Sequence, residues 1–169
     1  MTFAVNDLVS YRTSGVCRIE EVKYCTFGKE SGEYYVLRPV YDSKSVIYVP
    51  KDSPLSEKMC RLLTKSEIED ILNSLSRDDI DWIENDRERS ERIKDVIASG
   101  NKKRIAHFIK IMHRRRATLA ERGKKLRVSD ESALHCAEKM ICDEFSVTLG
   151  IPREEVSAYI ESHIAAANA

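Results

Sequence analysis

Between Pro50 and Pro54 the hydrophobic pattern changes its period from two residues to 3.6, and this change constrains the fold more than any other feature. A chain patterned in this way builds a small β unit first and a helical unit after it. Its class is therefore α+β, with strands and helices segregated rather than alternating. The boundary is expected at the Lys51-Asp52-Ser53 segment that the two prolines flank, giving domains 1–52 and 53–169.

Within the first domain, β-branched and aromatic residues stand between turn residues. DLVSYR, GVCRIEEVKYC, GEYYVLRPVY and SVIYVP are four strand candidates. Thr13-Ser14-Gly15, Gly28-Lys29-Glu30-Ser31-Gly32 and Asp42-Ser43-Lys44 separate them. Short antiparallel strands bury little as a flat sheet, so they are expected to curl into a small, half-open barrel of the SH3 or Tudor type. Val9, Cys17, Ile19, Val22, Tyr35, Leu37 and Ile47 would be divided between its two faces.

In the second domain, Ile68, Ile71, Leu72 and Leu75 lie at i, i+3, i+4 and i+7 and predict a helix over 66–75, with Ser66 as its N-cap. A second helix near 86–98 would bury Ile93, Val96 and Ile97 and end at Gly100. A third, 102–121, would bury Ile105, Phe108, Ile109, Met112 and Leu119. Ser129 is expected to cap a fourth helix through Leu149, with Leu134, Ala137, Ile141 and Phe145 on one face. Pro152 restarts the pattern for a fifth, carrying Val156, Tyr159, Ile160, His163 and Ile164. The second domain thus reads as an all-α bundle of about five helices.

Charge is arranged in blocks that the net value of zero conceals. Residues 1–65 sum to +2, 66–100 to −6, 101–127 to +10 and 128–169 to −6. The basic block suits phosphate, with Lys103, Lys110 and Arg114 lying away from the apolar stripe and Arg115, Arg116, Lys124 and Lys125 extending the patch. Salt bridges to the flanking acidic blocks are the competing reading.

Motifs of enzyme chemistry are missing: there is no Gly-rich phosphate loop, no HExxH and no GxSxG. A non-enzyme without cofactor or metal is expected. Five scattered cysteines lack a CxxC pair and read as reduced, mostly buried thiols; His135, Cys136 and Cys142 cluster in sequence but not on one helical face. His107 and His113 likewise fall on different faces of one helix, and Asp78, Asp79, Asp81, Glu84 and Asp86 lack EF-hand spacing. The N-terminus shows no secretory signal and no apolar run reaches membrane length, so a cytoplasmic location is expected. No heptad seam requires a partner copy, and a monomer is expected. Trp82, the single tryptophan, lies between two predicted helices, where it either packs or stacks on nucleic acid.

The combination VNDLVSYRTSGVCRIEEV, GEYYVL, IYVP, IDWIENDRERSERI, ASGN and EKMICDEFSVTLGIPREEV resembles the CarD/CdnL family of bacterial transcription regulators across nearly the whole chain. The resemblance implies a Tudor-like domain that binds the β-subunit lobe of RNA polymerase. It also implies a helical domain that touches promoter DNA in the minor groove near the -10 element, at the upstream edge of the bubble. Trp82 matches the family tryptophan that wedges there, and Arg87 falls where relatives carry a basic residue. With Arg89, Lys103, Lys110, Arg114, Arg115, Lys124 and Lys125 these form the expected DNA-binding set. Relatives often have basic residues directly after the tryptophan, whereas Glu84 and Asp86 stand here, which implies weaker DNA affinity. Where some relatives present an arginine to polymerase this chain has Tyr48, so the polymerase contact is assigned to Val46, Ile47 and Tyr48 together with Tyr24 and Phe27. A protein-interaction adaptor without DNA contact is the alternative.

Overall fold

A computed structural model describes residues 2–77 and 81–167; Asp78 and Asp79 lie outside the described residues. The chain forms two compact units, Met1–Leu62 and Leu63–Ala169. The first unit therefore runs ten residues past the expected boundary. The reason is a strand that the sequence pattern did not reveal.

That unit contains β1 (Leu8–Tyr11), β2 (Val16–Phe27), β3 (Glu30–Pro39), β4 (Ile47–Pro50) and β5 (Met59–Arg61). They form one antiparallel sheet in the order β4-β3-β2-β1-β5. β5 has only three residues, too few for any periodicity, and it is a strand because it pairs with the open side of β1, Tyr11 opposite Met59. Among the described residues no ladder joins β4 to β5, so the sheet is not closed, and of the half-open barrel expected it is the open side that is seen. Edge strands of four and three residues give little length for the staggered pairing that closure needs.

The seven core candidates gather in one cluster instead of dividing between faces. Val9, Cys17, Ile19, Tyr35 and Leu37 are buried together with Tyr11, Val49 and Met59, and Val22 and Ile47 pack against them. Strict alternation would set Ile19 and Val22 on opposite sides. A register shift between Ile19 and Glu21 inserts one extra residue and returns Val22 to the core face, opposite Tyr35. The β2–β3 hairpin also turns more tightly than expected. Gly28 takes φ +63°, which permits a two-residue connection, so residues 30–32 belong to β3 rather than to a loop.

The second unit contains α1 (Lys65–Arg77), α2 (Asp86–Ser99), α3 (Lys102–Glu121), α4 (Val128–Leu149) and α5 (Arg153–Ala167). Their predicted apolar stripes converge: Leu72, Ile105, Met112, Leu134, Ala137, Phe145 and Val156 are at most 1% exposed within one cluster. Helix starts differ from expectation in two places. Thr64, not Ser66, caps α1: its Oγ1 accepts from the Glu67 N–H at 3.2 Å, and the Glu67 carboxylate accepts from the Thr64 N–H at 2.8 Å. This reciprocal box satisfies two amides that would otherwise lack partners. Thr64→Ala is expected to lower stability by about 1 kcal/mol in a denaturant titration, and an unchanged midpoint would contradict the assignment. Ser129 lies inside α4, whose N-cap is Arg127 without a side-chain cap bond. Gly100 ends α2 in the left-handed conformation, φ +65°, and Asn101 immediately caps α3 through the Arg104 N–H.

Leu63, the first residue of this unit, is held by α4 at both of its backbone groups. Its N–H donates to Glu144 Oε1 at 2.8 Å, and its carbonyl accepts from Thr148 Oγ1 at 3.0 Å. The other Glu144 oxygen lies 3.0 Å from Lys102 Nζ, with both side chains under 10% exposed. The five cysteines are free thiols. Only Cys17 is buried, Cys25, Cys136 and Cys142 are half-buried and Cys60 is exposed, so the expectation of mostly buried thiols is not met. Among the described residues no three His, Cys, Asp or Glu side chains gather as metal ligands. Among them, too, no helix is long and apolar enough to cross a membrane.

Candidate functional site

Trp82 precedes α2, whose N-cap Asn85 accepts the Glu88 N–H at 3.0 Å. The indole is half-buried against the helical cluster rather than fully exposed. Two guanidinium groups lie over it: Arg89 at 4.5 Å and Arg115 at 5.2 Å from the ring centroid. A desolvated cation over an indole face is attracted by the ring quadrupole, so both contacts tie the ring to α2 and α3.

Arg89 was expected to meet DNA phosphate, and the structure gives it a different task. Its side chain is 8% exposed. Nη2 donates to Asp130 Oδ2 at 3.0 Å and to Asp86 Oδ1 at 2.6 Å, while Nη1 donates to the carbonyls of Ile83 and Glu84 at 3.0 and 3.3 Å. Burial pulls the Arg89 pKa down, but the bonds to Asp130 and Asp86 more than offset it and hold the group charged. The same Arg89 bond lowers the Asp86 carboxyl below its ordinary value, with Arg127 adding to it. Every donor direction faces protein, leaving none for a phosphate.

Lys110 is also withdrawn. Its Nζ donates to the Leu75 carbonyl at 2.5 Å, satisfying an acceptor in the last turn of α1. Arg115 is half-buried beside Trp82 and lies 3.7 Å from Glu84. Lys103, Arg114, Lys124 and Lys125 remain exposed, as does Arg87, which makes a loose pair with Glu91 at 3.4 Å. The competing salt-bridge reading therefore holds in part. Arg104, Arg116 and Arg127 pair with Asp95, Glu131 and Asp86, whereas the lysines of the set stay at the surface apart from Lys110.

Trp82 forms a wall of two depressions. One, about 530 Å³, is bordered by Arg92, Lys103 and Arg104 over a floor that includes Ile93 and Phe108. The other, about 180 Å³, is bordered by Arg115, Lys125 and Arg127. Arg92, Arg104 and Arg127 were not among the predicted contacts. Arg104 and Arg127 stood in the basic block, but helical phase from the α3 stripe alone cannot bring the middle of α2 or the α3–α4 loop to the tryptophan.

On the sheet, β4 is paired only with β3, so its outer backbone edge is open among the described residues. Tyr48, 40% exposed, lies 5.3 Å from Phe27 edge to face, and Phe27 lies 5.1 Å from Tyr34. Lys23 Nζ sits 5.6 Å from the Tyr48 ring. The other predicted contacts do not join this group. Tyr24 is 70% exposed but alternates to the opposite face, Val46 precedes β4, and Ile47 turns its side chain into the core.

Residues 3–57 match the family model described as the CarD-like/TRCF RID domain. Among curated proteins no match is found. The matched stretch contains β1 to β4, the open edge and the Phe27–Tyr34–Tyr48 cluster; Trp82 and the helical unit lie beyond it. Over residues 3–57 the N-terminal unit, an antiparallel sheet with an aromatic outer face, is thus similar to the CarD-like/TRCF RID domain.

Proposed function

We propose that the protein is a cytoplasmic, non-enzymatic transcription regulator. It docks on the β-subunit lobe of RNA polymerase and contacts promoter DNA at the upstream edge of the bubble, lengthening the life of the open complex. The RID match carries the polymerase half of this reading. Docking uses the open β4 edge for strand addition and the Phe27–Tyr48 surface for apolar contact, without an ion pair.

The DNA half rests on Trp82, which has Arg89 and Arg115 against its ring and Arg92, Lys103, Arg104, Lys125 and Arg127 around its two depressions, alongside the acidic Asp81, Glu84, Asp86 and Asp130. Lys103, Arg114, Lys124 and Lys125 supply phosphate contacts that position without reading sequence. An indole filling the gap beside an unstacked base pair slows re-annealing if it binds the open form more tightly than the closed one. Tethering to polymerase raises its local concentration, so a weak wedge suffices. Measured on a polymerase–promoter open complex, wild-type protein is expected to lengthen the lifetime and Trp82→Ala to abolish that effect while polymerase binding persists. A wild-type protein that binds polymerase and leaves the lifetime unchanged would overturn the wedge.

A second reading, an adaptor whose helical unit binds another protein, draws on the ion pairs that already occupy Arg104, Arg116 and Arg127. A DNA titration separates the two, because phosphate binding weakens steeply as salt rises and an adaptor shows no such binding.

A further inference from the structure

We infer that the Arg89–Asp130 pair is a positioning device for Trp82, fixing the angle at which the indole is presented. The functional consequence rests on the proposed role of Trp82; the geometry does not. Trp82 lies in a connection between helices, where a side chain ordinarily samples many orientations. Arg89 removes that freedom in two ways. Its guanidinium lies 4.5 Å from the ring centroid, and its Nη1 binds the carbonyls of Ile83 and Glu84, the two residues that follow the tryptophan. One buried side chain thus holds both the ring and the backbone that carries it.

Arg89 is itself held. Asp130, on the first turn of α4 and 7% exposed on its side chain, accepts from Nε at 3.3 Å and from Nη2 at 3.0 Å. A two-point bond to one carboxylate oxygen from two guanidinium nitrogens leaves the planar fork little rotation. Asp86 holds the same nitrogen from α2 itself but is half exposed, so the connection to a second helix depends on Asp130. Arg115 supplies a weaker second contact: it is farther from the ring, at 5.2 Å, and its Glu84 partner is 76% exposed. The arrangement is therefore one fixed support from α2 and α4 and one yielding support from α3. A wedge needs this asymmetry, since a rigid ring enters a base step without paying rotamer entropy and a yielding side leaves room for the step.

Trp82 is the only tryptophan, so fluorescence excited at the red edge, beyond the absorption of the seven tyrosines, reports this site alone. Asp130→Asn keeps the shape and removes the charge; Asp130→Glu keeps the charge. At temperatures well below unfolding, acrylamide quenching of Trp82 is expected to rise about twofold in Asp130→Asn and to return toward the wild-type value in Asp130→Glu. A substitution that merely loosened the fold would lower the unfolding midpoint and leave native-state quenching as it was. On the polymerase–promoter complex, Asp130→Asn is expected to lose most of the lifetime extension while binding polymerase as wild type does. Unchanged quenching in folded Asp130→Asn would overturn the positioning role, as would changed quenching with a fully retained lifetime extension. If Trp82→Ala itself leaves the lifetime unchanged, the wedge reading falls, and the quenching arm still decides whether Asp130 positions the ring.

Discussion

Glu144→Ala is expected to destabilise the helical unit by about 3–5 kcal/mol, the scale for breaking a buried ion pair from one side. The carboxylate is 2% exposed and lies 3.0 Å from Lys102 Nζ, which is 8% exposed. Removing it takes the carboxylate from a buried lysine, whose Nζ keeps the Gly100 carbonyl at 3.5 Å, and also strips the Leu63 N–H of its acceptor. The favourable Coulomb term is not what is lost in full, since much of it only offsets desolvation. What makes the single variant costly is the buried charge left without its counter-charge. Hence Glu144→Leu combined with Lys102→Met is expected to recover part of the loss, short of wild type because Leu63 still lacks an acceptor. Denaturant midpoints of the three proteins test this, and a single-variant loss below about 1 kcal/mol would show that water reaches Lys102.

On the sheet, Phe27→Ala with Tyr48→Ala is expected to weaken binding to RNA polymerase by about 10- to 100-fold, the range for removing a pair of aromatic anchors from one interface. The two rings touch edge to face at 5.3 Å, so each single change also loosens the other ring, and the pair should be less than additive. Tyr24→Ala is the internal control. It is the most exposed aromatic ring of the sheet, yet on the opposite face from Phe27 and Tyr48, and a small effect is expected. A Tyr24 effect as large as that of the double variant would move the docking surface to the other face of the hairpin.

Element type was legible wherever a period repeats several times. The α3 and α4 stripes ran over five turns or more, and their apolar residues met in one core. Legibility ended where a structure depends on a partner distant in sequence. β5 is a strand only because β1 has an open side, and Ile19 and Val22 share a face only because a bulge interrupts the alternation. The candidate site divides in the same way. Trp82 was singled out by its rarity and its place between helices, but the cations around it were assigned by charge and helical phase, which do not report burial. Arg89 and Lys110 therefore read as phosphate contacts although their donors face Asp130 and the Leu75 carbonyl. A lysine or arginine paired to a backbone carbonyl leaves no signature in a sequence, because every residue offers that acceptor.

The return of the chain to β1 has a consequence for valency. A sheet can recruit strands without limit only if each newcomer leaves a second competent edge, and runaway association of β domains begins in that way. Here one edge ends in three residues, two of them the exposed Cys60 and Arg61, preceded by a single helical turn at Ser56–Lys58. The opposite edge is β4, stopped by Pro50, whose ring nitrogen has no hydrogen to give a further ladder. A strand added at β4 would therefore have one short ladder to use, and the three residues of β5 offer a second newcomer too little length to follow it.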